Sequence, residues 1–265
     1  MGFFQIENNK SQEYNIRSLF DFMRGCIYMV PELFGLEHIL YIVISTLIGG
    51  LGLFFAYKYA KTEKVQNIII KSLAIALLIS IITNRLSQVF RDNDVRWYLI
   101  IPDSFCGMTS MMLGLAVLFG KKNNDILHGL WLLGIFGGIS TVIYATFVGQ
   151  NESFFYLPTI SGLLHHSICA IVVVAIIMFK YIDITYKKWY CSAFCFTCYI
   201  TVGAFLMHTF NLNDAFHIVE PLIPGTPLTA WVMAPMYAVG YAGIVFGIEL
   251  VRRKKNKVSN NEITG

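Results

Sequence analysis

A cysteine and a pair of histidines are the residues of this sequence best suited to chemistry. Cys106 follows Pro102 and Asp103 at a point where the hydropathy pattern predicts that a helix begins. The free backbone N–H groups and the dipole of a helix start favour an anion, here a thiolate. His165 and His166 lie about two turns inside a later apolar stretch, where an imidazole can take the proton of a thiol. The pattern predicts nucleophilic catalysis by Cys106 with a histidine as its base.

The two histidines cannot both serve the same pocket. Neighbouring residues on a helix point about 100° apart, so at most one ring faces a shared cavity and the other bonds a neighbouring helix. Which of His165 and His166 faces the cavity stays open at this point. A buried histidine can also be an ordinary packing residue, and that interpretation stands beside the catalytic one.

The other cysteines are weaker candidates. Cys169 lies one turn below His165 and is the alternative nucleophile. Three more cysteines recur at helical spacing at the start of the sixth predicted helix, on the other side of the membrane from Cys106: Cys191, Cys195 and Cys198. No loop histidine or carboxylate completes a tetrahedral metal site with them, so we expect small apolar packing residues, no metal and no cofactor.

Further polar residues recur on the same side of the predicted helices as Cys106. Polar residues within a membrane are costly and therefore point to function, although residues at helix ends can simply lie near water. We expect this set to orient the histidine or bind substrate, and to converge on one cavity between the first, second, third, fifth, sixth and seventh helices. It comprises His38, Asn84, Arg85, Asp103, His208, Asn211 and Trp231.

The composition requires that a membrane-embedded bundle position these residues. Of 265 residues, 56% are apolar and only 14% charged, with a mean hydropathy of +0.60; a soluble domain is about 25% charged. This composition excludes a disordered chain, a disulfide scaffold and a nucleic-acid-binding domain. The apolar runs lack the alternation of barrel strands and predict an all-α membrane protein. Its seven transmembrane helices are expected near 38–57, 66–84, 98–119, 126–148, 157–179, 189–209 and 228–249.

Lysine and arginine residues predict the orientation of this bundle. Of the 20 basic residues, 14 fall on one side of the predicted membrane and 6 on the other. The richer side is expected in the cytoplasm, with the N-terminus outside and the C-terminus inside. Residues 1–32 are expected to form a tail with a short interfacial helix at 18–30, residues 33–250 the transmembrane domain, and residues 251–265 a basic cytoplasmic tail with a disordered end.

Four short motifs carry a resemblance to a known family. They are LFGLEHILY at 33–41, IPDSFCGMTSMMLG at 101–114, LLHHS at 163–167, and the region from FNLNDAFHIVEPL to PLTAWVMAPMY at 210–237. These resemble the YwaF-type bacterial seven-helix integral membrane proteins, although Ile101 replaces a usual leucine and Asp103 lies inside the motif. That family is similar to the eukaryotic transmembrane protein 164 group of ether-phospholipid acyltransferases. The resemblance implies a multi-pass protein of the bacterial plasma membrane, with Cys106 as nucleophile and His165 or His166 as base.

Two functions fit these expectations. The first is an acyltransferase or transacylase that acts on phospholipid acyl chains through an acyl-cysteine, with a site open to the outer leaflet and membrane phospholipids as partners. The alternative is a non-enzymatic binding protein or carrier for a small solute or lipid that uses the same cavity. A polar path toward the cytoplasm would favour a carrier, and the sequence offers almost none. A purely structural protein is a third possibility.

Overall fold

Every regular element in the described part of the chain is helical. The computed structural model describes residues 33–91, 95–145 and 153–264, with side chains up to residue 254. The interfacial helix predicted at 18–30 lies outside these ranges. Two short 3₁₀ helices, Trp97–Ile100 and Tyr186–Lys188, accompany seven α-helices: α1 (Leu36–Tyr59), α2 (Glu63–Val89), α3 (Phe105–Phe119), α4 (Asp125–Ile143), α5 (Leu157–Met178), α6 (Tyr190–Phe210) and α7 (Ala230–Thr264).

Six of these helices, all except α3, are long and apolar enough to cross a membrane. The 15 residues of α3 span about 22 Å at about 1.5 Å per residue, which is less than the roughly 30 Å of a hydrocarbon core. Many exposed apolar side chains, such as Leu36, Ile48 and Val239, cover the outside of the bundle. The chain is therefore a multi-pass membrane protein.

The predicted third helix at 98–119 is wrong in its first part. A 3₁₀ turn ends at Ile100, an extended segment follows, and α3 begins only at Phe105. Pro102 lacks an N–H donor and disfavours helical geometry at the residue before it. Cys106 therefore lies in the first turn of α3, and Asp103 precedes the helix.

Three other predicted boundaries differ from the structure. Helix α2 continues to Val89, because Leu77, Ile81 and Asn84 extend one buried stripe past the predicted end at 84. Helix α4 ends at Ile143 and not at 148, after a β-branched run of low helix propensity. Helix α7 runs to Thr264, where a disordered end was expected, because arginine and lysine are good helix formers.

Polar caps fix where three of the helices start. The Thr62, Ser104 and Asn124 side chains each accept a hydrogen bond from the backbone N–H three residues ahead. Such caps satisfy donors that have no partner within the helix. The cap at Ser104 consequently sets the position of Cys106, two residues later.

Helix α5 occupies the centre of the bundle. It packs against α1, α2, α3 and α4, whereas α6 packs against α4 and α7. Several faces of α5 carry buried side chains, among them Leu163, Cys169 and Val173. By contrast, α1 buries only His38 and Gly49. Helix α1 is thus peripheral, whereas α4 and α5 are the most buried of the candidate spans.

The two ends of the bundle differ in charge. At one end, here called the basic end, α1 ends, α2 begins and loops meet through ion pairs. These pairs are Lys122–Glu63, Lys188–Asp125 and Arg252–Asp183. At the other end, here called the site end, α2 ends and α3, α5 and α7 begin. Cys106 and both paired histidines lie toward the site end.

Candidate active site

A cavity of about 510 Å³ lies between α3, α4, α5, α6 and α7 near the site end. Most of its wall is apolar, which suits a hydrocarbon chain. The polar groups that face it come from separate elements. They are Ser104, Cys106, Thr109, Ser140, Thr141, His166, His217 and Tyr237.

The expected set of cavity helices is partly wrong. Helices α1 and α2 contribute no lining residue to this cavity, whereas α4, which was not expected, contributes a whole wall. The wall is formed from Leu133, Phe136, Gly137, Ser140 and Thr141. Helix α4 offers few polar residues in its sequence, so a search based on polarity overlooks it.

Cys106 lies at the capped start of α3 and is partly buried. Its thiol lies beside the Thr141 side chain, close enough for a hydrogen bond. Gly137 faces it across the cavity wall, because a methyl group on Gly137 would lie only 2.9 Å from the Cys106 sulfur. The thiol is therefore held between α3 and α4 with one hydroxyl beside it.

The two neighbouring histidines have different surroundings. His166 lines the cavity, and its ring lies within hydrogen-bonding reach of the Gly137 backbone. His165 is buried, and its Nδ1 lies 3.2 Å from the Ser110 hydroxyl of α3. The ring centroids are 4.1 Å apart. His166 is thus the histidine that shares the cavity with Cys106, while His165 joins α5 to α3.

Glycines allow α4 to approach this site closely. A methyl group on Gly138 would lie 2.7 Å from the carbonyl oxygen of His166 and 3.0 Å from Cβ of Ala170. One turn away, a methyl on Gly134 would lie 2.8 Å from Val173. Small residues of this kind permit backbones to pack directly in membranes. The contact fixes the backbone of His166 relative to the α4 wall.

A polar network links the ends of α2, α3 and α5 behind the cavity. Asn84 is buried and donates to the Pro158 carbonyl at 2.9 Å and to the Ser161 hydroxyl at 3.2 Å. Arg85 donates to Asp103 at 3.2 Å and to the Asn84 side-chain oxygen at 3.0 Å. None of the three predicted residues in this network lines the cavity. Their contacts stabilise the helix ends that carry Cys106 and His166.

His38 likewise does not line the cavity. Its Nδ1 accepts a hydrogen bond from the Phe34 N–H at 3.1 Å, so its Nε2 donates to the Val142 carbonyl at 2.8 Å. Both ring nitrogens are therefore used within the protein. His38 joins the start of α1 to the end of α4.

Three further predicted residues face away from the cavity. His208 and Asn211 are exposed, and Asn211 ends α6 in a left-handed conformation at φ 53°. Trp231 is 62% exposed at the start of α7, a position typical of tryptophans at a membrane interface. The structure does not bring these three together with Cys106.

His217 lines the cavity from the segment between α6 and α7, although it is not among the site residues predicted from the sequence. Its Nδ1 is buried and has no hydrogen-bond partner in the part of the chain that the structure describes. The conformation of that segment could not be read from the sequence. The only available signal was a histidine inside the quoted FHIVEP motif.

The other cysteines in the described ranges do not line the cavity. Cys169 is buried beside Ser110 and Gly134. Cys195 contacts Gly129 directly, so this part of α6 packs against a position of α4 that has no side chain. Among the described residues, no three His, Cys, Asp or Glu side chains are grouped as metal ligands would be. Of the five cysteines that the structure describes, Cys106 is the one that lines the cavity.

The cavity opens sideways between α4 and α7. Phe136 of α4 and Met236 of α7 both line it and are each 60% exposed. Deeper in the bundle the two helices are tied together, because the Trp131 indole donates to the Tyr241 hydroxyl at 3.1 Å. That hydroxyl in turn donates to the His128 carbonyl at 2.6 Å. The cleft is therefore closed toward the basic end and open at the level of Cys106.

Comparison with known proteins gives one match. The model of the TMEM164 family matches residues 33–251, a span that includes Cys106, His166 and His217. This match confirms the resemblance to the transmembrane protein 164 group. No curated protein matches the chain, and no solved structure does.

Proposed function

We propose that this chain, which belongs to the TMEM164 family, is an acyltransferase that moves phospholipid acyl chains through an acyl-cysteine at Cys106. The observation that carries the proposal is the shared cavity of Cys106 and His166, a nucleophile and a base on facing helices. Nucleophile, base and a third orienting group are the usual parts of an activated thiol site. Here the Gly137 backbone beside the His166 ring is that orienting group.

The first half of the reaction forms a thioester. His166 takes the proton of the Cys106 thiol, and the sulfur attacks the carbonyl carbon of a phospholipid ester. The tetrahedral intermediate collapses, the C–O bond breaks, and the lysophospholipid oxygen leaves with the proton that His166 held. First-turn N–H groups of α3, which Ser104 leaves uncapped, provide donors for the oxyanion.

The second half transfers the acyl group. The hydroxyl of an acceptor lipid attacks the thioester carbonyl, the C–S bond breaks, and the hydroxyl proton ends on the sulfur, which regenerates the Cys106 thiol. An apolar cavity that excludes water protects the thioester from hydrolysis between the two halves.

The lateral opening between α4 and α7 supports a lipid substrate over a small solute. A phospholipid chain can enter past Phe136 and Met236 directly from the bilayer, without leaving it. Toward the basic end, the core below the cavity consists of apolar side chains such as Leu113, Leu130 and Ile176. This arrangement fits a one-sided site better than a carrier.

We further propose seven membrane crossings, their orientation and a location in the bacterial plasma membrane. Helix α3 completes a seventh crossing with the 97–104 segment, because irregular backbone is tolerated within a membrane where it is buried in protein. The basic end faces the cytoplasm of a bacterial cell and the N-terminus lies outside. The cavity then lies in the outer half of the plasma membrane, near the level of ester carbonyls.

The test is covalent labelling with an alkyne-tagged phospholipid. Purified protein in lipid–detergent micelles should acquire a tag that hydroxylamine removes, as expected of a thioester. Cys106→Ala should abolish the tag, and the matched variant Cys169→Ala should retain it. A tag that follows Cys169, or no tag on folded wild-type protein, would overturn the proposal.

A further inference from the structure

The cavity contains a second histidine that the reaction above does not use. His217 lines the cavity together with Cys106 and His166 but belongs to a different element, the segment that joins α6 to α7. Its Nδ1 is buried and has no partner among the described residues. A buried polar atom without a partner is costly, so its presence in a side chain at the cavity wall calls for a functional explanation.

The backbone around His217 is held in a rare conformation. Phe216 and His217 both have left-handed φ angles, of 55° and 56°. Residues other than glycine seldom adopt this conformation, and two in succession require surrounding contacts that hold them. Such strain, kept next to a cavity, is typical of functional positions.

Specific contacts hold this conformation. The Phe216 N–H donates to the Asp103 carbonyl at 2.7 Å, and the Ala230 N–H donates to the His217 carbonyl at 2.6 Å. The Phe216 ring is buried against Phe105 and Tyr199. Because Asp103 and Phe105 flank the start of α3, the same contacts tie His217 to the helix that carries Cys106.

We propose that His217 is the catalytic base for the second half of the reaction and accepts the proton of the acceptor hydroxyl; this inference rests on the proposed acyl-cysteine mechanism. His166 lies on α5, whereas His217 reaches the cavity from the site-end segment, where a lipid headgroup and its hydroxyl enter. Two bases on separate elements allow each half of the reaction to have its own proton acceptor.

In this step the proton of the acceptor hydroxyl passes to Cys106 by way of His217. His217 takes the proton of the acceptor hydroxyl as its oxygen attacks the thioester carbonyl. The C–S bond breaks, and the sulfur leaves as a thiolate. That thiolate then takes the proton from His217, which returns both groups to their starting state with a new ester formed.

Two variants suit the left-handed backbone. Asparagine tolerates positive φ better than most residues, so His217→Asn removes the base and keeps the conformation. Glycine adopts it freely, so His217→Gly leaves a space that added imidazole can fill. The matched control is His208→Asn, the same change at an exposed histidine of α6.

The experiment separates the two half-reactions on protein loaded with alkyne-tagged phospholipid. With His217→Asn we expect thioester formation within about twofold of wild type, and discharge to added lysophospholipid slowed by about 100-fold. Imidazole should restore part of the discharge in His217→Gly, and His208→Asn should behave as wild type. The matching variant His166→Asn should instead lose thioester formation.

The outcomes distinguish the inference from the function on which it rests. Folded wild-type protein that forms no thioester overturns both. A wild-type thioester together with normal discharge in His217→Asn overturns the role of His217 alone. Equal loss of formation and discharge in both His217 variants, without imidazole rescue, also overturns it, because a merely structural residue would give that result.

Discussion

The contact between α4 and α5 predicts a sharp effect of one added methyl group. In Gly138→Ala the new carbon would lie 2.7 Å from the His166 carbonyl oxygen, whereas ordinary contacts begin at 3.4 Å. The helices must therefore separate by about 0.7 Å, the difference between these distances. The nearest atoms are largely backbone, so no side-chain rotation relieves the overlap.

Both stability and reaction rate are expected to fall. Overpacking costs about 1–3 kcal/mol, and the better helix propensity of alanine returns about 1 kcal/mol. The free energy of unfolding should therefore decrease by up to about 2 kcal/mol. A displacement approaching 1 Å can reduce a rate by about 100-fold, so acylation of Cys106 should slow by about 10- to 100-fold.

The assay measures the rate of thioester formation and the thermal midpoint in the same detergent. Gly52→Ala is the matched control, because this α1 glycine is exposed and a methyl group there meets nothing within 4 Å. The control should acylate at the wild-type rate. Wild-type acylation and stability in Gly138→Ala would refute the claim that this packing positions His166.

Three further variants test other parts of the account. Asn84→Ala should lower the free energy of unfolding by about 1–3 kcal/mol, because the buried Pro158 carbonyl and Ser161 hydroxyl lose a donor; an unchanged thermal midpoint would count against the network. Trp231→Ala should leave the acylation rate within about twofold of the wild-type rate, as expected for an exposed surface residue. A tenfold loss of rate would instead indicate that Trp231 contributes to the site. Full labelling should survive joint alanine replacement of Cys191, Cys195 and Cys198, with packing losses only; loss of the tag in folded protein would contradict this.

Much of the fold could be predicted from hydropathy, because continuous apolar runs of membrane length leave few other structures. The helix that carries Cys106 was predicted less well. Pro102 interrupts the apolar run, so α3 begins at Phe105 and Cys106 lies in its first turn. A first-turn position places Cys106 next to backbone N–H groups that have no partner within the helix.

The candidate site could be predicted only in part. Cys106 and the pair His165 and His166 could be named because a thiol and an imidazole at matching depth are unusual in lipid, but the sequence left open which histidine lines the cavity. The α4 wall was missed because most of its residues are apolar and because Gly137, which lies against Cys106, carries no side chain. His217 was missed because tertiary contacts, not local sequence, hold its left-handed backbone.

Several polar residues at the site end of the helices do not line the cavity. Asn84, Arg85 and His38 bond other helix ends, and Trp231 faces outward. In a membrane bundle, polar residues are needed both to join helix ends and to line a site. The sequence gives depth along a helix but not the direction in which a side chain points.

The most direct test of the acyl-cysteine is peptide mapping after exposure to two phospholipids whose acyl chains differ in length. The mechanism predicts that the peptide containing Cys106 gains the mass of the donor's acyl chain, that the gain changes with the donor, and that hydroxylamine removes it. An unmodified Cys106 peptide in folded protein, or an acyl group on another residue, would contradict the mechanism.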